Sequence, residues 1–534
     1  MGQAYGAAAA SARGLRLPRS ARPTTIDADA RRHGDSVMRV LLINSNRCDQ
    51  PTPVLPFGLG CVAAAVRAAG HAVTLLDLCF STQPGDDIRA ALRRARPDVV
   101  GISIRNLDNS AGYGTELLVT DVRDAVVRPC RAAFPGPIVI GGPAVGINGA
   151  ELLAYLDLEL AIRGDGEEAM VELLARLERG APLTGLPGLV RREAGRVVED
   201  NDPAPVADLD ALPFDRIYDG LDLAPYRPFN PAVQVQTKRG CPLGCSYCTY
   251  NRIEGRAWRL RDPERVADGV ARLCRATGLA LVELTDSAFN LPLDHCKAVL
   301  RALIARRLDL ELRTLGLNPG AVDAELVGLM RQAGFREVAL GAEAVCDATL
   351  RGLGKGYDAR AVLAAARLLH DHGIAVMWYL LVGGPGETPA TLRATLAAVN
   401  AAAGPRDLVV IGIGVRVYHG SPLAARLLAA DPACTSDRFF TPLAYRPEGA
   451  DLGLLKALVK REALRQTRYL MYDEDEHVPR AIQLAAAWAQ RTLAPGQPSW
   501  QSYLVVRRLE RLFGITALRR MTFEREHGAA LAGR

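Results

Sequence analysis

Three cysteines stand close together near the middle of the chain, at Cys241, Cys245 and Cys248. The loop that holds them follows an alternating run at 233–237, which predicts a strand that ends where the loop begins. Thiolates at this C-x3-C-x2-C spacing can bind three irons of a four-iron cluster, whereas electron-transfer clusters use four cysteines and structural zinc sites close four ligands. The spacing therefore favours a cluster with one iron open to another ligand. Three free cysteines on a loop, or a zinc knuckle that lacks one ligand, are the alternatives.

The loop resembles the signature of the radical S-adenosylmethionine (radical SAM) superfamily, because aromatic Tyr247 stands just before the third cysteine. The resemblance implies a [4Fe-4S] cluster whose open iron chelates the amino and carboxylate groups of SAM. Reductive cleavage of SAM would then yield a 5′-deoxyadenosyl radical, with Tyr247 against the adenine. The resemblance also implies an external electron donor such as flavodoxin or ferredoxin.

Composition indicates a globular protein of several domains. With 534 residues, 49% of them apolar, the chain is long enough for about two to four cores. A net charge of +6 with both signs intermixed does not argue for a nucleic acid or an anionic membrane. No run approaches the ~18 consecutive apolar residues of a membrane helix. The eleven cysteines are too sparse for a secreted disulfide scaffold, and they predict a reducing, cytoplasmic location.

The first 37 residues differ in composition from the rest of the chain. Residues 1–37 are rich in Ala and Arg and contain no acid before Asp27. They predict a disordered leader, or an upstream start codon with Met38 as the effective beginning. A transit peptide is the alternative, and the absence of an apolar core in this segment argues against secretion.

Residues 38–180 alternate short apolar runs with helical segments, which predicts a doubly wound parallel sheet. Ligands bind such sheets outside the carboxyl ends of the strands. The loops at 44–49, 103–109 and 141–146 lie at those ends. The strands are expected at 40–43, 73–76, 98–104, 137–142 and 158–162.

This region resembles the Rossmann-like cobalamin-binding domain found upstream of many radical SAM domains. The resemblance is carried by the order of elements, the Pro56-Phe57-Gly58-Leu59 opening, Ser103, the Gly141-Gly142 pair and the turn Gly164-Asp165-Gly166-Glu167. It implies that Ser103, Gly141 and Gly142 lie beside cobalamin. The acids of the turn are also expected to cap the following helix, where the helix dipole favours them.

One loop departs from the pattern of cobalamin folds that ligate cobalt through histidine. Those folds carry D-x-H-x-x-G after the first strand, whereas residues 44–49 here contain no histidine. Many cobalamin-binding radical SAM enzymes also lack it, so the resemblance implies a base-off cobalamin that no histidine holds. A flavodoxin-like domain without a cofactor is the alternative.

A connector is expected at 181–232, with a hairpin and a Pro-rich passage. From residue 233 the alternation of strand and helix restarts, and six units predict a partial (β/α)6 barrel over 233–425. A closed barrel would need two more units. The strands are expected at 233–237, 281–285, 310–314, 337–341, 376–382 and 408–413.

Polar side chains at the carboxyl ends of these strands are candidate ligands. Asp286 and Ser287 end the second strand and are expected to contact the SAM amino group or the substrate. Glu343 ends the fourth strand and can accept from the ribose hydroxyls or bind the SAM amino group. The turn at 383–388 resembles the superfamily's G-x-P-x-E-T turn and is expected mainly to cap a helix. Arg416, after the sixth strand, can bind a carboxylate or be structural.

The remaining residues, 426–534, predict a helical C-terminal region. Amphipathic helices are expected at 451–472 and 502–513. Their polar faces are either solvated or part of a cap over the open side of the barrel.

Together, the resemblances imply a cobalamin-dependent radical SAM enzyme that uses a [4Fe-4S] cluster, SAM and cobalamin on a small-molecule substrate. Methyl transfer to an unactivated carbon in natural-product, cofactor or lipid biosynthesis is favoured, with one SAM methylating cobalamin and a second supplying the radical. The alternatives are a non-methylating cyclase or rearrangement enzyme, and a cobalamin-binding sensor or carrier with a vestigial cluster. No catalytic residue is predicted beyond the cofactor ligands.

Overall fold

A computed structural model describes most of the chain from Val37 onward. The described residues are 37–431 apart from 51, 111, 113 and 200; 440–472; 479–514 apart from 494 and 495; and 520, 521 and 523. The predicted leader, apart from Val37, lies outside the described residues. Residues 38–534 group into one unit, in which every contact below is made.

The N-terminal part is built on a seven-stranded sheet with the order β2-β1-β3-β4-β5-β6-β7. The first five strands are parallel, as predicted, and β6 and β7 are antiparallel. The strands are β1 (Arg39–Asn44), β2 (Ala72–Asp77), β3 (Val99–Ser103), β4 (Ile138–Gly141), β5 (Leu160–Ile162), β6 (Leu189–Glu193) and β7 (Arg196–Val198).

Helices cover both faces of this sheet, so its central strands are apolar on both sides. In β1, Leu41 and Ile43 join one apolar cluster, while Val40 and Leu42 join another on the opposite face. The helices are α1 (Phe57–Ala68), α2 (Pro84–Ala95), α3 (Val119–Asp121), α4 (Arg128–Ala133), α5 (Pro143–Leu156) and α6 (Gly166–Arg179), with a π-helical segment, Val122–Val127, between α3 and α4.

The hairpin expected within the connector belongs to the N-terminal sheet. Its first strand, β6, pairs with β5 and buries Leu189 and Val190 completely. The pairing satisfies the backbone groups of the β5 edge, which would otherwise be exposed. The chain then crosses to the second part through short 3-10 helices at Leu209–Ala211, Phe214–Arg216 and Arg227–Phe229.

The second part is the partial barrel, and all six predicted strands are present. Its parallel strands run in the order β8-β11-β12-β13-β14-β15-β16. Between β12 and β13 the sheet continues through two backbone hydrogen bonds. The Leu317 amide donates to the Ala339 carbonyl, and the Gly341 amide donates to the Leu317 carbonyl. The strands are β8 (Val233–Val235), β9 (Lys238–Arg239), β10 (Arg259–Leu260), β11 (Leu281–Leu284), β12 (Glu311–Thr314), β13 (Glu337–Glu343), β14 (Ala375–Val382), β15 (Leu408–Ile413) and β16 (Tyr469–Met471).

The prediction of one helix over 451–472 is wrong in its second half. The helix α15 ends at Arg465, and β16 follows and pairs with the edge of β15. The pairing buries Tyr469 and Met471 and satisfies the open edge of β15, and for a segment of three residues this outweighs the helical pattern of the sequence.

None of the described helices is long and apolar enough to cross a membrane. The helices are α7 (Tyr250–Ile253), α8 (Pro263–Thr277), α9 (Leu293–Ala305), α10 (Ala324–Ala333), α11 (Asp347–Gly352), α12 (Ala359–Asp371), α13 (Pro389–Ala402), α14 (Pro422–Ala430), α15 (Leu452–Arg465), α16 (Arg480–Thr492) and α17 (Gln501–Leu512).

The turn from β14 to α13 contains a buried carboxyl group. Thr388 caps α13 by accepting from the Thr391 amide at 3.2 Å, as the sequence predicts for this turn. Glu387 accepts from the Thr391 hydroxyl at 3.0 Å and from the Gly383 amide at 3.4 Å. Burial raises the pKa of Glu387 to about 7.

Replacing Phe335 by Ala should destabilise the barrel by about 3–5 kcal/mol, since the ring is fully buried and its loss leaves a cavity. The ring stacks on Phe289 with centroids 5.7 Å apart. Leu512→Ala, at a side chain that is 77% exposed, is the control and should change the thermal midpoint little. Equal midpoints for the two variants would contradict the assignment of this core.

Replacing Glu387 by Gln should change the pH dependence of stability. The folded protein keeps the carboxyl protonated up to about pH 7. Between its usual pKa of 4.5 and about 7, the unfolded chain binds fewer protons, so stability falls as pH rises. At ~1.4 kcal/mol per pH unit, this loss is about 3 kcal/mol above pH 7, and Gln does not suffer it. The thermal midpoint of Glu387→Gln minus that of the unaltered protein should therefore be larger at pH 8 than at pH 5. Glu448→Gln, at an exposed carboxyl group, is the control. A difference for Glu387→Gln that is the same at both pH values would contradict this.

Candidate active site

The cysteine loop leaves the barrel at the carboxyl end of β8, next to β9. Cys241, Cys245 and Cys248 are all free thiols, the first buried and the other two partly exposed. Gly240 begins the loop with φ +91°, and a Cβ there would lie 2.0 Å from the Ala257 carbonyl oxygen. Only glycine fits this turn, so the backbone enters the cysteine loop in one conformation.

Backbone bonds hold the loop from several sides. The Cys241 amide donates to Gly255 at 3.0 Å, and the Ser246 amide donates to Leu353 at 2.8 Å. The Ser246 carbonyl accepts from the Leu423 amide at 2.7 Å. The thiols are therefore positioned by the ends of α11 and α14 as well as by their own loop.

The donor set fits a multi-iron cluster. Three sulfur ligands in one loop, without a fourth protein ligand, match the soft-ligand preference of iron–sulfur clusters. Among the described residues, no group of three or more His, Cys, Asp or Glu side chains is arranged to hold a metal ion. Burial raises the pKa of Cys248 to about 11 and also raises that of Cys241, so ligation would displace their protons.

Tyr247 lies in a polar group with Glu343 and Lys355. The Tyr247 hydroxyl donates to Glu343 at 2.8 Å, and the Lys355 ammonium lies 2.9 Å from that hydroxyl and 3.1 Å from the carboxylate. Glu343 ends β13 at a bulge with a φ of 59°, which is unusual for a non-glycine residue. Lys355 is a site residue that the sequence reading missed, because a lysine between two glycines carries no signal of its own.

Asp286 does not have the role expected for it. Its side chain is completely buried and accepts from the Thr237 amide at 2.8 Å, the Thr237 hydroxyl at 2.6 Å and Lys238 at 3.1 Å. It therefore braces the segment that enters the cysteine loop, and its oxygens are not available to SAM or substrate. Ser287 lies closer to the loop, where its hydroxyl donates to the Gly240 carbonyl at 3.3 Å.

The predicted cobalamin residues lie at the carboxyl edge of the N-terminal sheet. Gly142 has φ +100°, and a Cβ there would lie 2.7 Å from the Ile104 carbonyl oxygen, so the turn into α5 requires glycine. At Gly141 a Cβ would meet nothing nearer than 3.8 Å, which leaves this backbone open to a bulky ligand. The Ser103 carbonyl accepts from Ser45 at 2.7 Å and so helps to fix the loop after β1. The open backbone at Gly141 fits a large planar cofactor.

Buried ion pairs join the two strand edges near the cysteine loop. Arg239 donates to Glu167 at 2.6 Å and lies 3.2 Å from Asp165, with all three side chains at most 7% exposed. Arg259 also pairs with Asp165, at 2.5 Å. The acids that the sequence marked as helix caps therefore contact the barrel, and their partners could not be read from sequence spacing.

A second contact between the two parts involves Arg416, in the loop after β15. It pairs with the carboxylate of Asp108, in the loop after β3, at 2.9 Å, which is the structural one of the two predicted roles. Tyr418 donates to the other oxygen of Asp108 at 2.6 Å. The carboxyl ends of β3 and β15 therefore meet here, as those of β5 and β8 do at Arg239.

Comparison with known families identifies both parts of the chain. Residues 235–399 match the radical SAM superfamily, and residues 51–174 match the B12 binding domain. Tryptophan 2-C-methyltransferase of Streptomyces laurentii is 29% identical over 420 residues, covering 66% of this chain and 69% of that protein. Anaerobic magnesium-protoporphyrin IX monomethyl ester cyclase of Synechocystis is 27% identical over 353 residues, covering 63% and 67%.

A solved structure has the same architecture. It is the radical SAM methyltransferase TsrM from Kitasatospora setae with cobalamin and a [4Fe-4S] cluster bound. The TM-score is 0.75 at 23% identity, over 89% of this chain and 99% of that one, which shows a shared fold. With both domain matches in this order, the chain belongs to the radical SAM enzymes that carry a B12-binding domain upstream of the barrel.

Proposed function

We propose that the protein is a cobalamin-dependent radical SAM methyltransferase that acts on an unactivated carbon of a small molecule. The observation that carries the proposal is the contact between two strand edges, one bearing three free cysteines and the other an open glycine backbone. Cofactors held on these edges would face a common space. Such a space is what a reaction needs when two cofactors act on one substrate.

On the barrel edge, Cys241, Cys245 and Cys248 would hold a [4Fe-4S] cluster and leave one iron for SAM. Glu343 and Lys355 then offer one anionic and one cationic group, 3.1 Å apart, beside the cluster loop. The amino acid part of SAM carries an ammonium and a carboxylate, which complement this pair. A bound SAM would exchange the internal ion pair for two charge-assisted hydrogen bonds.

On the opposite edge, the backbone at Ser103, Gly141 and Gly142 would hold cobalamin. The loop at 44–49 has no histidine, so it offers no imidazole to the lower face of cobalt. When bound, the cofactors supply the radical and the transferable methyl group, and the protein binds and orients them. An external donor such as flavodoxin or ferredoxin would reduce the cluster, and the oxygen-labile cluster suits a cytoplasmic location.

A non-methylating reaction with the same cofactors is the second candidate. The relative that favours it is the anaerobic cyclase of Synechocystis, which is similar to this chain over 353 residues. The two candidates differ in the product mass, because only methylation adds a carbon from SAM.

The proposal is tested with methyl-deuterated SAM, a reductant and candidate substrates under anaerobic conditions. A product that gains one labelled methyl group is expected, together with 5′-deoxyadenosine. A product without label favours cyclisation or rearrangement. Failure to form any 5′-deoxyadenosine after reconstitution would sink the radical assignment.

Replacing Cys241, Cys245 and Cys248 together by Ala should abolish both iron binding and reductive SAM cleavage. The three sulfurs are the only cluster ligands that the proposal supplies. Cys274→Ala, at a partly buried cysteine on α8, is the matched control and should retain both properties. Iron content and 5′-deoxyadenosine are measured after anaerobic reconstitution. Cleavage that survives in the triple variant would show that the cluster is held elsewhere.

Replacing Lys355 by Met should weaken SAM binding roughly 10- to 100-fold, the loss expected for one charge-assisted hydrogen bond. Iron content should stay unchanged, because Lys355 is not a cluster ligand. The control is Arg351→Met, which also removes one positive charge, at an exposed neighbouring position on α11, and should leave SAM affinity unaltered. Equilibrium dialysis with the reconstituted protein measures the affinity. Unchanged SAM affinity in Lys355→Met would contradict the role given to the pair.

A further inference from the structure

We propose that Asp108, Arg416 and Tyr418 form a latch that fixes the cobalamin edge of the N-terminal sheet over the barrel and sets the separation of the two cofactors. These are positioning residues, since none of them is placed against a reacting atom. The inference rests on the proposed function in one respect, namely that both edges carry cofactors. The latch itself is a contact between protein groups and can be tested without turnover.

The ion pair of the latch is fully buried, Tyr418 is partly buried, and the carboxylate is saturated. Arg416 donates through Nε to Asp108 at 2.9 Å, with side chains 1% and 0% exposed. Tyr418 donates to the second carboxylate oxygen at 2.6 Å, and the Ser110 amide donates to the same oxygen at 2.9 Å. Such geometry allows only one arrangement of the two loops, because any slide would leave a buried charge unpaired.

The guanidinium of Arg416 donates to protein groups on both loops. Its terminal nitrogens donate to the carbonyl oxygens of Val417 and Phe440. Phe440 in turn packs on Tyr155 of α5 with ring centroids 5.2 Å apart. The guanidinium is therefore used to join the loop after β15 to the N-terminal part, and it does not offer a free fork to a carboxylate ligand.

The backbones on either side of the latch touch. A Cβ added to Gly112, in the loop after β3, would lie 2.1 Å from the carbonyl carbon of Gly414. Gly414 immediately follows β15. A Cβ on Gly383, after β14, would lie 3.4 Å from the Cα of Gly414. The loop after β3 therefore rests on the carboxyl end of β15, with no room for a side chain between Gly112 and Gly414.

The latch is one of several contacts that hold the two parts together. Another is the buried group of Arg239 with Glu167 and Asp165, beside the cysteine loop, and Tyr226, before β8, donates to Asp77 at 2.6 Å. Contacts at separated points fix the orientation of one part on the other. Breaking the latch should therefore release the loop after β3 from the barrel, while the Arg239 group and the other contacts keep the two parts together.

A buried ion pair is not needed for stability alone, because well-packed apolar residues can serve as well or better. An apolar contact is non-directional, however, and tolerates small slides. The latch instead fixes direction through three hydrogen bonds to one carboxylate. This difference assigns the group to positioning.

The test uses the protein reconstituted with cluster and cobalamin, with Asp108→Asn, Arg416→Gln and the double variant. The reduced cluster speeds the spin relaxation of nearby cob(II)alamin, and this enhancement falls steeply with distance. Both single variants should bind iron and cobalamin as the unaltered protein does. They should lose most of the relaxation enhancement of cob(II)alamin, because the two cofactors are no longer held at a fixed separation. The double variant should be no worse than either single one, because the two residues act as a unit. Arg272→Gln, which breaks an exposed pair with Asp215, should keep the full enhancement.

Hydrogen exchange at residues 104–118 provides a readout that needs no cofactor. Protection should be lost in Asp108→Asn, and lost in part in Tyr418→Phe, which keeps the ion pair and serves if the former does not fold. Full enhancement with unchanged exchange in the single variants would overturn the latch. If the unaltered protein bound no cobalamin, the proposed function would fall, and unchanged exchange in the variants would then overturn the latch separately.

Discussion

Each half of this protein presents the carboxyl ends of its parallel strands, and buried ion pairs fasten the two edges together. Arg239, just before the cysteine loop, is held by Glu167, and Arg416, just after β15, is held by Asp108. Buried charges are costly unless each meets a partner in good geometry, so the edges cannot slide without leaving charge unpaired. The proposed chemistry depends on this constraint, because cofactors on opposite edges can share a substrate only while the edges stay opposed.

Most polar groups around the site hold loops in place. Asp286 braces the segment before the cysteines, and the buried Asp108 holds a loop of the other half. Tyr247, Glu343 and Lys355 differ, since they form a partly exposed set whose mutual bonds a ligand can replace. This division suits an enzyme whose cofactors carry the reaction while the protein supplies binding and orientation.

The sequence was informative where a function needs a local pattern. The cysteine loop and the βα alternation are visible because spacing and periodicity are properties of neighbouring residues. It was uninformative where the partner is distant in the chain. The role of Asp286 was mistaken because Thr237 and Lys238 saturate it from another strand, and Lys355 was missed because only the fold brings it to Tyr247. Likewise, β16 is a strand because β15 offers an open edge.

We expect iron and cobalt to lie on opposed edges of one chain. Anomalous diffraction from anaerobic crystals of the reconstituted protein, recorded at the iron and cobalt absorption edges, would locate both metals. Iron should lie beside Cys241, Cys245 and Cys248, and cobalt over Gly141 and Gly142, with the space between them open to substrate. Cobalt that is absent, or bound away from the edge formed by β1, β3 and β4, would contradict this expectation.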